Sequence, residues 1–322
     1  MSDLKRIAVL TSGGDSPGMN AAIRAVTRAA IYSGMEVIGV QRGYEGLLEG
    51  DFIPLEKGSV GSIIHRGGTF LRTARSERFR TEEGQREALT RLEDARIDGL
   101  VVIGGEGSYK GAWELHKKGF PVIGLPGTID NDIAGTDETI GFDTAVNTGL
   151  EAVQKLRDTA SSHDRLFIVE VMGRHTGFLA LEVGAASGAE AAIVPEIPFS
   201  LGRIIDKLHY SRKRGKTHSM IILAEGVMPA QSLKEALMDT GGYEARVTVL
   251  GHVLRGGSPT SFDTVLASRM GIRAVQALSA GERGKMVGVR GGKMRTAPLP
   301  IAWEEKKCLN PELLSLIEIL SI

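Results

Sequence analysis

Along this chain, short runs of β-branched and other apolar residues alternate with longer stretches whose apolar positions recur every three or four residues. That is the order expected when a parallel sheet is covered by helices on both faces. Strands are expected at residues 6–11, 36–40, 99–103, 121–125, 166–171, 191–195, 219–224, 245–250 and 286–289. Most are apolar at successive positions, as a doubly covered strand must be. A helix over 20–33 places Ile23, Val26 and Ala30 on one face, with Gly34 just past its end. Thr81 opens another, with Glu82 and Glu83 in the first turn where the helix dipole favours acids. Further helices are expected at 143–157, 201–214 and 262–280, and a last one over 302–322, docked on the surface through Leu309, Leu313, Leu314 and Ile317. The fold class is therefore α/β, with two doubly wound three-layer αβα domains and mostly parallel sheets.

The 322 residues suffice for about two domains. No repeat and no Pro-rich linker divides them, so the chain is expected to cross between domains more than once. Lys plus Arg number 39 and Asp plus Glu number 39, which leaves no basic excess for nucleic acid, so any anion site must be local. The lone cysteine, Cys308, excludes an intrachain disulfide and a cysteine zinc cluster, and makes a reducing compartment the expectation. The N-terminal segment lacks the apolar core of a signal peptide, and the most apolar stretch, 179–199, is broken by Glu182, Glu190 and Pro195. A cytoplasmic protein without a membrane partner is expected. Glycine, at 42 residues, is about twice its usual share of roughly 7%, which points to loops that approach a ligand closely.

Three glycine-rich turns follow strands. TSGGDSPGMN at 11–20 runs from a strand into a helix, where unpaired backbone N–H groups and the helix dipole converge on one place. A plain tight turn is the alternative; the turn is neither a Walker loop nor a dinucleotide fingerprint. IGGEGS at 103–108 sets Glu106 between glycines, suited to holding a divalent metal against phosphate oxygens, unless it is a solvated loop carboxylate. GLPGTIDND at 124–132 places Thr128, Asp130 and Asp132 at a strand's carboxyl end, where doubly wound sheets bind ligands. Asx-turn chemistry is the rival reading for Asp132. Positive charge comes in short loops: Arg72, Arg75, Arg78 and Arg80 after Gly67 and Gly68, Arg174 and His175 after Gly173, Arg246 at a strand start, then His252 and Arg255. Guanidinium forks on open turns can hold phosphate oxygens bidentately. Together these segments indicate phosphoryl transfer, whose catalysis is positioning and charge neutralisation, rather than hydride transfer. No His-Glu-x-x-His helix is present.

TSGGDSPGMN at 11–20, PGTIDND at 126–132, VMGR at 171–174, AEGV at 224–227 and LGHVLRGGS at 250–258 closely resemble the bacterial ATP-dependent 6-phosphofructokinase family, from about residue 5 to about residue 290. The resemblance implies a homotetramer that phosphorylates the 1-hydroxyl of fructose 6-phosphate with ATP and Mg2+. It places Asp130 as general base, Thr128 beside it, and Gly14, Arg75, Gly105, Gly107 and Ser108 at the nucleotide, with Arg75 countering the transferring charge. Met172, Gly173, Arg174 and Glu225 fall on the sugar, with Arg174 near the reacting phosphate; His252 and Arg255 fall on the 6-phosphate. Arg165 and Arg246 match arginines that reach this phosphate from a neighbouring subunit. A second site, for ADP as activator and phosphoenolpyruvate as inhibitor, maps onto Arg24, Arg28, Lys57, Arg157, Glu190, Arg214, Lys216 and His218. The expected domains are 1–138 plus 252–305 for ATP, and 139–251 plus 306–322 for sugar phosphate and effector.

Two departures qualify the match. Lys57 stands where an arginine is usual and loses the planar fork. Glu106 stands where the family has the aspartate that serves magnesium, and its extra methylene shifts the carboxylate by about 1 to 1.5 Å, a displacement that can cost roughly a hundredfold in rate. A weakly active paralogue or regulatory subunit is therefore one alternative. A pyrophosphate-dependent relative is another, although such enzymes usually carry an aspartate in place of Gly107 and a lysine in place of Gly127.

Overall fold

The computed structural model describes residues 4–161 and 165–321. In chain order the elements are β1 (Arg6–Thr11), α1 (Met19–Tyr32), β2 (Glu36–Val40), α2 (Gly43–Glu49), β3 (Phe52–Pro54), α3 (Glu82–Asp94), β4 (Gly99–Gly104), α4 (Glu106–Lys117), β5 (Val122–Pro126) and α5 (Phe142–Ser161). They continue as β6 (Leu166–Val171), α6 (Phe178–Ser187), β7 (Ala191–Ile193), α7 (Leu201–Lys213), β8 (Ser219–Ala224), α8 (Ala230–Gly241), β9 (Ala245–Val249) and α9 (Ser261–Ser279). The last are β10 (Lys285–Arg290), β11 (Lys293–Pro298), α10 (Ile301–Glu304) and α11 (Pro311–Leu320). The expected strands form within one or two residues of their predicted ends. Thr81 caps α3 as its neighbours predict, its side chain accepting from Gly84 N.

The stretch expected as one C-terminal helix is two. Pro311 cannot donate a helical hydrogen bond and disfavours helical backbone at Asn310, so Asn310 instead caps α11, accepting from Glu312 N at 2.9 Å. The strands missed by periodicity are edge strands, β3 with three residues and β11 with the polar sequence KMRTAP.

The chain divides into two compact units, residues 1–144 with 255–307, and 145–254 with 308–322. The first holds a seven-stranded sheet in the order β11-β10-β5-β4-β1-β2-β3, parallel except for its two edge strands. Successive residues of one strand feed two cores: Ile7 and Val9 face the layer of α1 and α9, whereas Ala8 and Leu10 face Tyr44, Leu47, Leu92 and Leu115 on the opposite side. That alternation makes this unit a three-layer sandwich. The second unit has a four-stranded parallel sheet, β7-β8-β6-β9, with Ile204, Leu208, Leu233 and Leu237 of α7 and α8 packed on Ile168, Ile221 and Leu223.

In the first unit, buried Asp263 near the start of α9 accepts from Gly141 N at 2.8 Å, Thr144 N at 2.8 Å and Thr144 Oγ1 at 2.6 Å. It thereby ties the start of α9 to the loop that follows the third glycine turn. Asp263→Ala removes the buried acceptor that these three donors share and is expected to cost about 3 kcal/mol or more. Thermal unfolding should show a fall of roughly 6–12 °C; a shift under about 2 °C would mean that water replaces the carboxylate.

Candidate active site

In the first unit, β2 lies on one side of β1 and β4 then β5 on the other, so the strand order reverses between β1 and β4. The loops leaving their carboxyl ends are therefore free to part and form a crevice, the place where such sheets bind ligands. Ser12 N donates to Ile103 O at 3.0 Å across this point, and Gly105 is the N-cap of α4, so the first N–H groups of that helix have no intrahelical acceptor. Buried Ser108 packs beneath Gly13 and Gly104 and is held by Tyr44 Oη, which donates to its carbonyl at 2.6 Å.

Basic residues reach the same edge. Arg255 Nη1 donates to Asp15 O at 3.2 Å, and a Cβ at Gly14 would lie 2.3 Å from that nitrogen, so a side chain there would push the guanidinium aside. Arg255 thus meets the first glycine loop, a neighbour its expected 6-phosphate role does not specify. Asn20 fastens the arginine loop, donating to Arg66 O and Gly67 O and accepting from Phe70 N at 2.6 Å, while Thr11 Oγ1 donates to Arg72 O at 2.9 Å. Arg75 stands exposed beyond it. Arg78 and Arg80 instead form exposed ion pairs with Glu87 and Glu77.

The third turn carries the carboxylates. Asp130 N donates to Thr128 Oγ1 at 3.2 Å, and the Thr128 hydroxyl lies 3.4 Å from Asp130 Oδ2. Gly105 adjoins Thr128, its notional Cβ 3.8 Å away. Between the acids, Asn131 has φ 51° and a buried side chain whose Oδ1 accepts from Thr139 N at 3.1 Å and Lys307 Nζ at 2.8 Å. Burial, then the charge on Asp130, with a smaller push from Glu106, raises Asp132 to about 6. Burial lowers Lys307 to about 8 against the pull of Glu138, Asp137 and Asp132. Asn131 and Lys307 were not legible as site residues: one is an ordinary turn former, and the other lies in the stretch read as a surface helix.

Glu106 is the first residue of α4, and its carboxylate pairs with Lys110 one turn on. Among the described residues no group of three or more His, Cys, Asp or Glu is arranged to hold a metal ion by itself. Magnesium, however, takes one or two carboxylates and completes its shell with water and substrate phosphates. Glu106, Asp130 and Asp132 are hard oxygen donors of the kind magnesium takes one or two of, and the charges of Asp130 and Glu106 both act on Asp132.

In the second unit Met172, Gly173 and Arg174 follow β6 and Glu225 follows β8, both at the carboxyl edge. The two loops touch backbone to backbone: Gly226 N donates to Gly173 O at 3.1 Å, and a Cβ at Gly226 would stand 2.0 Å from Arg174 O. Exposed His252 lies in the short turn at 251–255. Arg165 and Arg246 are at the opposite, amino-terminal edge, before β6 and at the start of β9, where Arg246 pairs with Glu244 at 3.0 Å.

The expected effector residues fall into two groups. Arg24 and Arg28 share a face of α1 in the first unit, with Lys57 after β3; burial and Arg28 lower Arg24, whose Nε has no hydrogen-bond partner. In the second unit buried Glu190 pairs with Lys216 and accepts from Met220 N, and Arg157 donates to Ser187 O at 2.5 Å. Arg214 lies over the Tyr210 ring, and His218 precedes β8 with its Nδ1 buried and unpartnered.

The phosphofructokinase family pattern matches residues 6–278. The chain is 57% identical over 319 residues to the ATP-dependent 6-phosphofructokinase of Listeria welshimeri, covering 99% of this chain and all of that one. It is 54% identical, over the same share of this chain, to the enzyme of that name from Clostridioides difficile. Among solved structures it superposes on Pichia pastoris phosphofructokinase in the T-state with a TM-score of 0.89 and 34% identity, covering all of this chain and 40% of that one.

The perturbed carboxylate gives a test. Asp132 binds its proton more tightly folded, at about 6, than at the ordinary 3.8. The native state therefore holds more protons between those values, and stability falls as pH rises through that window. Asp132→Asn should raise the stability of the nucleotide-free protein by about 1–3 kcal/mol at pH 7.5 and by less at pH 5. Thermal unfolding at both pH values measures it; no gain at pH 7.5 would show that the carboxylate carries no such strain.

Proposed function

The chain belongs to the phosphofructokinase family, and we infer from that premise that it is an ATP-dependent 6-phosphofructokinase, transferring the γ-phosphate of ATP to the 1-hydroxyl of fructose 6-phosphate. The observation that carries this reading is identity above half to enzymes of that name along essentially the whole chain. The motif residues support it by gathering at the carboxyl edges of the two sheets.

In this reading Asp130 takes the proton of the attacking hydroxyl. Thr128, whose hydroxyl is within hydrogen-bond reach of that carboxylate, orients it. Gly14, Gly105, Gly107 and Ser108 line the nucleotide phosphates, where unpaired N–H groups at the start of α4 receive negative charge. Gly107 is exposed and a Cβ there meets nothing within 4 Å, which leaves room for a nucleoside triphosphate. Arg75 and Arg174 offset the charge that develops on the transferring group. Met172, Gly173 and Glu225 hold the sugar, and His252 and Arg255 its 6-phosphate. Glu106 is the carboxylate that would hold Mg2+, which when bound would supply neutralisation of the triphosphate charge. Turning Glu106 away from Lys110 is then part of loading the site.

The position of Arg165 and Arg246 supports a homotetramer. They sit at the amino-terminal ends of strands roughly 17 Å long, away from the edge that carries Arg174 and Glu225, and in this reading they serve a neighbouring copy. The unpartnered buried nitrogens of Arg24 and His218 support an anionic effector at the second site, ADP or phosphoenolpyruvate. A cytoplasmic location follows from the proposed glycolytic role; among the described residues no helix is long and apolar enough to cross a membrane.

A coupled assay with fructose 6-phosphate should show turnover with MgATP and none with pyrophosphate as donor. Asp130→Ser should lower kcat by roughly two to four orders of magnitude while sugar phosphate binding persists. Near-normal turnover would remove Asp130 from the role of base.

The regulatory reading is tested separately. Changing Arg214 and Lys216 together to alanine should abolish the response to ADP and phosphoenolpyruvate and leave kcat at saturating substrate within about twofold. A collapse of kcat with the effector response intact would assign both residues to the reaction itself.

A further inference from the structure

We propose that Lys307 is a positioning residue for phosphoryl transfer, its ammonium fixing the turn that presents Asp130 and Asp132. Nζ donates to Asn131 Oδ1 at 2.8 Å and to the Asp137 carbonyl at 2.6 Å, so one cation spans both ends of the segment 131–137. Asn131 needs that support. Its φ of 51° lies in the left-handed region, which asparagine tolerates when its short side chain is held by hydrogen bonds. Its side chain is buried, and a buried amide oxygen must be satisfied. Thr139 N supplies one donor at 3.1 Å and Lys307 the other.

The electrostatics run the same way. Asp130 and Glu106 both oppose the charge on Asp132, whereas Lys307 is the cation that draws it down. Without that charge, a turn carrying two neighbouring carboxylates relaxes by spreading them. A displacement on the order of 1 Å at a reacting group costs roughly a hundredfold in rate. Lys307 is supplied from more than 170 residues downstream, in the irregular segment between α10 and α11, where the strand and turn motifs give no sign of a part in the reaction.

The inference rests on Asp130 as the base, and its test separates the two ideas. Lys307→Met is expected to lower kcat about 10- to 100-fold while KM for ATP and for fructose 6-phosphate stays within about threefold. Lys307→Arg, which keeps the charge, should recover at least about a third of the parent kcat, and Lys306→Met at the exposed neighbour should match the parent. Amide hydrogen exchange, which needs no turnover, should speed up over residues 130–139 in Lys307→Met alone. If Lys307→Met does not yield folded protein, Lys307→Gln takes its place with the same readings. A kcat within threefold of the parent, or unchanged exchange over 130–139, would overturn the proposal. So would a loss of kcat that Lys307→Arg does not recover. If the parent itself fails to turn over, the functional reading fails, and hydrogen exchange alone decides whether Lys307 holds the turn.

Discussion

The reversal of strand order between β1 and β4 is the constraint on which the nucleotide-side chemistry depends. Two adjacent parallel strands whose chains leave in opposite directions cannot cover the gap above their own carboxyl ends, and a sheet that must bury both faces cannot avoid having such a point. What the sequence adds is glycine on both sides of the gap, so that backbone rather than side chains lines it. Ser108, Tyr44 and Asn20 then fix the bare loops by hydrogen bonds from beneath and beside.

The same edge holds an unfavourable concentration of like charge. Asp130 and Glu106 both repel the charge of partly buried Asp132, and the structure holds these groups with neighbours of three kinds. Thr128 and Thr139 bond the turn to itself, Lys110 draws the Glu106 arm outward, and Lys307 contributes a cation from a distant part of the chain. The fold thus tolerates local destabilisation at the turn to which the proposed function assigns the reacting groups.

Most of this architecture was legible in the sequence because its signals are local. Buried parallel strands read as continuous apolar runs, and Thr81 with Glu82 and Glu83 marks a helix start by capping and dipole chemistry alone. The glycine turns at 11–20, 103–108 and 124–132 were legible as turns at the carboxyl ends of strands for the same reason. Contacts assembled by the fold were not. Nothing near Asn131 signals that it meets Lys307, nothing near Gly14 signals that Arg255 lies against it, and the ion pair of Glu106 with Lys110 competes with the metal role that its flanking glycines suggest. The break before Pro311 was legible in principle, since proline with a preceding asparagine is a start signal; the apolar spacing across it concealed the break.

Neither unit is continuous in the chain, and this governs how the protein emerges from the ribosome. The sheet of the second unit is complete within residues 145–254, whereas the first unit needs α9, β10 and β11, all of which come later. Met270, Ala274 and Val287 belong to the core that α1 and β1 share. The first 144 residues therefore wait for about 160 more, roughly 10–30 s at ordinary elongation rates, with the part of α1 that packs on α9 uncovered. The middle of the chain can close first, so this protein's N-terminal sheet is made early and completed late, and in that interval it is the part most exposed to chaperones and to misassembly.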